Sequence, residues 1–334
     1  MSRIAILGGG SWGTGLAVVL SHSRRKHGVR IWVRETSIAQ AMQQQHRNPT
    51  YLPGIEIPPC VEASNDLGET LEGAQIVVGV VPSAHTRAVF LKAAPYISAD
   101  TCIVSATKGL EPATHLRTSE VIAQALALQF IPAIAVLSGP SFALEAARGD
   151  PTAVVLASHD RPLASFLQEE FAGPSFRLYT NDDVLGVELA GAMKNVMAIA
   201  AGACQGLGLG ANSLAALITR GLAEMTRLTV ALGGKPETLS GLAGLGDLVL
   251  TCHGALSRNR HVGFELGRGR ALQEILDEMS GVAEGVGTTT ALLGLARDRN
   301  IELPITEQVH SILHLGNSPQ DAIRAIMERP LKRE

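Results

Sequence analysis

A short apolar strand, Arg3–Leu7, runs straight into Gly8-Gly9-Gly10-Ser11-Trp12-Gly13, and that turn leads into an apolar helical stretch over residues 16–20. Strand, glycine turn and helix in this order constrain the chain more than any other feature. In a Rossmann unit the first glycine makes the tight turn, the second lets the backbone approach a pyrophosphate, and the third lets helix and strand pack closely. The phosphates then face the helix N-terminus. The glycine spacing alone is weak in a chain with 35 glycines; the flanking strand and helix give it weight. A dinucleotide site is expected here, built on Gly8, Gly10 and Gly13. The alternative is a glycine turn that serves close packing only.

The chain has 334 residues, enough for two domains that each bury a core. A net charge of −3 offers no general attraction for nucleic acid or an anionic membrane, so any anionic ligand must be held locally. Aromatic residues make up only 4%, too few for a base-stacking platform. Cys60, Cys102, Cys204 and Cys252 lie far apart without a C-x-x-C spacing. That argues against zinc or a disulfide framework, and for reduced thiols in the cytoplasm. The most apolar stretch, 185–210, is interrupted by Glu188 and Lys194, so no membrane insertion is expected.

Apolar strands alternate with helical segments through residues 29–33, 74–81, 102–105, 133–137 and 152–157. Such a βαβ series predicts an α/β Rossmann-type domain with a mostly parallel sheet and ligands at the carboxyl ends of its strands. Pro82-Ser83, Lys108-Gly109 and Gly139-Pro140-Ser141 each follow a strand and fall on that edge. Lys108 is then either a cation delivered to a ligand or a solvated loop lysine. Beyond residue 180 helical spacing dominates, which predicts a dinucleotide-binding domain over 1–180 and a largely α-helical substrate domain over 181–334. The cleft between the domains is the default active site.

Two clusters in the second half carry candidate chemistry. Lys194-Asn195 sits in an apolar run, 184–199. A buried lysine loses stability as a cation, and enzymes use this to bring such a group to about 7–8 for proton transfer. A lysine snorkelling to solvent fits the pattern equally well. Asp247 follows a glycine-rich turn and is either a helix-start acid or a partner for catalysis. Ser257-Arg258-Asn259-Arg260 could bind a phosphate through guanidinium forks and amide donors, or be simply solvated.

Taken together, the glycine loop, Ser105 to Glu111, Leu137 to Ala143, Glu188 to Ala198, Ala216 to Met225, Gly241 to Cys252 and Ser257 to Arg260 closely resemble the bacterial NAD(P)-dependent glycerol-3-phosphate dehydrogenase family. The match spans essentially the whole chain, and the segments of the second half are specific to that family. The resemblance implies reversible reduction of dihydroxyacetone phosphate to sn-glycerol 3-phosphate with NADPH or NADH, feeding phospholipid synthesis, by a cytoplasmic homodimer. It implies Lys194 as acid/base, Asp247 as its support and Lys108 as a second active-site lysine touching substrate and cofactor. Arg258 and Asn259 match the phosphate-binding pair, with Ser257, Thr251, Gly139 and Ser141 as further substrate contacts. Ser11, Trp12, Arg258, Ala143, Val282 and Glu284 match cofactor contacts, and no metal is implied. Gly9 and Gly15 stand where alanine is commoner in the family, which predicts an unchanged backbone and the loss of two methyl packing contacts.

Strand two leads into Arg34-Glu35. An arginine at this place suits the extra phosphate of NADP, whereas an acid suits the ribose hydroxyls of NAD. NADPH is therefore expected to be preferred, with NADH also used. Two other readings compete: a two-domain dehydrogenase of the 3-hydroxyacid or 6-phosphogluconate type, and a dinucleotide sensor without turnover. Ser257-Arg258-Asn259 speaks against the first. The joint presence of Lys108, Lys194 and Asp247 speaks against the second.

Overall fold

A computed structural model of the chain describes residues 2–331 and Arg333. The chain divides into two units, the first comprising Met1–Glu111 and Leu116–Glu188, the second Pro112–His115 and Leu189–Glu334. The division expected at 180/181 thus falls later. Two features explain the shift. Residue 180 lies inside a strand, Phe176–Asn181, that pairs with Thr152–Ala157, and Glu188 is tied to the first unit by its side chain.

The strands of the first unit are β1 (Arg3–Leu7), β2 (Gly28–Trp32), β3 (Arg47–Asn48), β4 (Leu52–Glu56), β5 (Val61–Ser64), β6 (Ile76–Gly79), β7 (Cys102–Ser105), β8 (Ala133–Ser138), β9 (Thr152–Ala157) and β10 (Phe176–Asn181). Eight of them form one sheet in the order β10-β9-β8-β7-β6-β1-β2-β5, while β3 and β4 pair separately. Every pairing in the large sheet is parallel except β8 with β9. Ile4 and Ile6 enter one apolar cluster and Ala5 and Leu7 another, as a strand covered on both faces requires. The chain runs outward from β1 to β2 and β5 on one side, then returns to β6 on the other. The carboxyl end of β1, where Gly8 sits, is therefore a topological switch point, the usual place for a ligand in an open α/β sheet.

The second unit is helical. The helix Val184–Gly206 leads into it, followed by Ala211–Ala231, Asp247–His253, Arg258–Gly267, Glu284–Asp298 and Pro304–His314 among others. Val184–Gly206 is long and apolar enough to cross a membrane, with a mean hydropathy of 1.4 in its most apolar window, but 89% of that window is buried in the protein. Close helix contacts explain several glycines here. A Cβ at Gly263 would overlap the Ile199 carbonyl, and one at Gly202 would overlap that of Arg260.

Each unit has one helix whose first turn is closed by a buried carboxylate from elsewhere. In the first unit Glu188 accepts from the Ser119 amide at 2.8 Å, the Ser119 and Thr118 hydroxyls at 2.6 and 3.0 Å, and Arg117 Nη1 at 2.8 Å. In the second, Glu224 accepts from the amides of Ile305 and Thr306 at 2.8 and 3.0 Å and from the Thr306 hydroxyl at 2.6 Å. First-turn amides have no partner inside their own helix, and a carboxylate also suits the positive end of the helix dipole. Burial pushes the Glu224 carboxyl up, and the three donors pull it back. Glu224→Ala leaves two amides and a hydroxyl buried without a partner, so calorimetry should show a destabilisation of about 2–4 kcal/mol. A melting temperature within 1 °C of the wild type, at the roughly 1 kcal/mol per several degrees expected for such a domain, would refute that role.

Candidate active site

In the first unit the glycine loop is shaped by contacts that exclude side chains. Gly8 has φ +129°, and a Cβ there would lie 2.9 Å from the Val80 carbonyl carbon and oxygen. A Cβ at Gly13 would overlap the carbonyl oxygen of Gly8. Gly10 differs, because a Cβ there would meet nothing within 4 Å. It stands at the N-cap of Ser11–Ser21, a helix with no side-chain cap and no acidic residue in its first turn. An open position at an uncapped, carboxylate-free helix start fits a pyrophosphate, so the loop suits a dinucleotide. The indole Nε1 of Trp12 is buried with no hydrogen-bond partner among the described residues.

Gly9 corrects the sequence expectation. A Cβ at Gly9 would lie 2.6 and 2.7 Å from the two methyls of Val33, a fully buried and stiff side chain. One at Gly15 would lie 3.0 Å from the Ala143 carbonyl oxygen. No methyl contact is lost at Gly9, since no space for a methyl exists there. Ala143 begins the helix Ala143–Arg148, which comes close to the glycine-loop helix at the side-chain-free Gly15.

Asn48, absent from the sequence-based set, supports the loop from below. Fully buried, it donates to the Gly9 carbonyl at 2.9 Å and to the Thr14 hydroxyl at 2.8 Å, and its own oxygen accepts from the Tyr51 amide at 3.0 Å. The Ser11 hydroxyl donates to the Tyr51 carbonyl. Only the segment 46–51, rich in turn-forming residues, hinted at this.

Lys108 follows β7 and is no solvated loop lysine. It is half-buried, and its Nζ donates to the Gly139 carbonyl at 2.8 Å and approaches the Ser141 hydroxyl at 3.4 Å. The Ser141 hydroxyl also donates to the Gly139 carbonyl, at 2.9 Å. Gly139 takes φ +133°, packed against Val154. Lys108, Gly139 and Ser141 therefore form one cluster at the carboxyl ends of β7 and β8.

In the second unit Lys194, Asp247 and Thr251 meet. Their relative exposures are 6%, 0% and 3%, which rules out the snorkelling alternative for Lys194. Its Nζ donates to Asp247 Oδ1 at 2.6 Å and to the Thr251 hydroxyl at 2.8 Å; that hydroxyl in turn donates to the Asp247 carbonyl at 2.6 Å. Asp247 is delivered by an unusual turn. Residues 242–246 form a π-helical loop closed by the Gly246 amide on the Gly241 carbonyl, and a Cβ at Gly244 would overlap the Leu239 carbonyl. Cys252 is also fully buried beside this pair, and burial pushes its thiol up to about 12. It stays protonated and is no nucleophile.

The Ser257-Arg258-Asn259 segment separates into different roles. Ser257 is the N-cap of Arg258–Gly267, its hydroxyl accepting from the Arg260 amide at 3.2 Å. Asn259 is buried, donating to Asn195 Oδ1 at 2.9 Å and accepting from the Gly285 amide at 2.9 Å. It thereby links the helices that carry Lys194 and Glu284. Arg258 reaches solvent and has no hydrogen-bond or ion-pair partner among the described residues; its guanidinium lies against Gly281. Crowding by neighbouring protein pushes its pKa down, and the charge of Glu284 raises it. A cation at the start of a helix without acidic first-turn residues makes an electropositive spot. Val282 is 49% exposed, and Glu284 begins the helix Glu284–Asp298. Among the described residues no three His, Cys, Asp or Glu side chains are grouped to hold a metal ion.

Both units match models of one family. Residues 3–164 match the N-terminal domain of NAD-dependent glycerol-3-phosphate dehydrogenase, and residues 183–324 match its C-terminal domain. A glycerol-3-phosphate dehydrogenase [NAD(P)+] of Koribacter versatilis is 55% identical over 331 residues, covering 99% of this chain and 98% of that protein. One of Myxococcus xanthus is 50% identical, with 99% and 98% covered. The crystal structure of a glycerol-3-phosphate dehydrogenase from Coxiella burnetii superposes with a TM-score of 0.93 at 46% identity, covering 98% of this chain and 99% of that one.

Proposed function

The chain belongs to the NAD-dependent glycerol-3-phosphate dehydrogenase family, and from that premise we propose how its residues carry out the reversible reduction of dihydroxyacetone phosphate to sn-glycerol 3-phosphate. It is an NAD(P)-dependent oxidoreductase. The observation that carries the residue assignment is the buried Lys194 ammonium, held by Asp247 and Thr251 in the second unit. The nicotinamide, when bound, supplies the hydride to C2 of the ketone and takes it back in the reverse direction.

Lys194 holds the proton that the C2 oxygen needs. As that oxygen gains negative charge during reduction, the ammonium donates to it, and the C2 hydroxyl returns a proton to the amine during oxidation. Asp247 and Thr251 fix the direction of Nζ and compensate its burial. Lys108, anchored on Gly139 and Ser141, adds positive charge where substrate and cofactor meet. Arg258 pairs with the substrate phosphate, which carries about −1.5 to −2 charges near neutral pH. Asn259 retains one amide hydrogen for the substrate and chiefly sets the position of Arg258; Ser257 acts through the helix cap it makes.

On the cofactor side, Gly10, Ser11, Trp12 and Gly13 take the pyrophosphate, with Gly8 shaping the turn. Ala143, Val282 and Glu284 belong to the nicotinamide end, and Arg34 takes the additional phosphate of NADPH, the preferred cofactor. The enzyme works as a cytoplasmic homodimer and supplies glycerophospholipid synthesis.

Lys194→Ala should lower turnover on the order of 10²- to 10⁴-fold while NADPH affinity and circular dichroism stay unchanged. Near-normal turnover in a folded variant removes Lys194 from proton transfer. Arg258→Ala should raise KM for dihydroxyacetone phosphate sharply and leave the weak activity on unphosphorylated dihydroxyacetone almost untouched, since only the phosphate contact is gone. Equal losses on both substrates would place Arg258 in the fold or the cofactor site instead.

A further inference from the structure

Arg34 already has a partner. Its Nε donates to Glu35 Oε1 at 3.0 Å, and Nη2 donates to the same oxygen. Glu35 stands at the N-cap of Thr36–Gln45, yet its side chain makes no cap hydrogen bond; it is turned to the guanidinium instead. The Tyr51 hydroxyl lies 3.5 Å from that oxygen on its other side. Tyr51 is itself tied down, its amide to Asn48 and its carbonyl to Ser11. Glu35 thus meets both a cation whose side chain is 70% exposed and the phenol of a residue whose backbone is bonded to the glycine loop; its own side chain is 31% exposed.

We propose that Glu35 is a specificity-determining residue that competes with the 2′-phosphate of NADPH for Arg34 and so limits discrimination between the two nicotinamide cofactors; this rests on the assignment of Arg34 to that phosphate. A guanidinium binds an oxyanion best through one of its paired N–H edges, and here one carboxylate oxygen of Glu35 takes the Nε/Nη2 edge. Taking the phosphate means exchanging one anionic partner for another with Glu35 still adjacent. A 2′-hydroxyl makes no such demand, so NADH binds without breaking the pair. Glu35 therefore weakens the phosphorylated cofactor selectively, and the effect of the exposed pair fades with added salt.

The test uses 2′,5′-ADP and ADP as probes, titrated calorimetrically against wild type, Glu35→Gln and the double variant Arg34→Ala/Glu35→Gln beside Arg34→Ala. Glutamine keeps the shape and removes the charge. Glu35→Gln should tighten 2′,5′-ADP by about two- to fivefold, the range set by exposed ion pairs, with ADP changed less than about twofold. The ratio of kcat/KM for NADPH to that for NADH, with dihydroxyacetone phosphate, should rise by a similar factor. In the Arg34→Ala background the gain should vanish. An unchanged or weaker 2′,5′-ADP affinity overturns the proposal, as does an equal gain for both probes. A gain that survives without Arg34 overturns it too, since that is charge repulsion alone. Absence of dihydroxyacetone phosphate reduction by the wild type would refute the enzymatic assignment instead, and the probe titrations would still decide the role of Glu35.

Discussion

Burying an ammonium group in an apolar helix costs several kcal/mol unless a partner of good geometry accompanies it, and the second unit is organised around meeting that condition for Lys194. Asp247 has no exposure and approaches Nζ to 2.6 Å. Thr251, one turn further along the same helix, accepts a second hydrogen bond from Nζ and donates one to the Asp247 carbonyl. The π-helical loop 242–246 leads directly into Asp247 and delivers the carboxylate. Removing either partner leaves an uncompensated buried charge. With both partners in place the ammonium is held in one direction.

In the first unit the corresponding constraint is steric. Gly8, Gly9 and Gly13 are each forced by a named neighbour: the Val80 carbonyl, the Val33 methyls and the Gly8 carbonyl. Gly10 alone faces open space, and it is the position beside which an anion is expected. Asn48 then fixes the loop by bonding the Gly9 carbonyl and Thr14. Backbone groups so held are preorganised and lose little freedom on binding.

The glycine loop, the parallel sheet and the helical second half were legible in the sequence because each rests on local order: strand, turn and helix in succession, or helical spacing sustained over many residues. The strand β10 was not, since its alternation of Phe176 and Leu178 with Arg177 and Tyr179 lies next to the polar boundary where helices begin. The crowding at Gly9 is hidden from the sequence for a related reason. Whether a methyl fits there depends on Val33, which lies 24 residues away in the chain and beside it in space. The grouping of Lys194 with Asp247 and Thr251 was implied only by resemblance, because contacts across 53 and 57 residues leave no trace in spacing.

Ser257, Arg258 and Asn259 show how far residue type falls short of role. All three suit a phosphate by chemistry, yet two are engaged inside the protein. Ser257 closes a helix, and Asn259 joins Asn195 to Gly285. Only Arg258 is left with its guanidinium unpaired among the described residues, and the other two fix where it stands. A charged group that needs no reorganisation discriminates better than three that must each be freed first. Arg34 is the opposite arrangement, a cation that must leave Glu35 before it can serve a phosphate. The two arginines thus differ in what an incoming anion must displace: nothing bonded at Arg258 among the described residues, and the Glu35 carboxylate at Arg34.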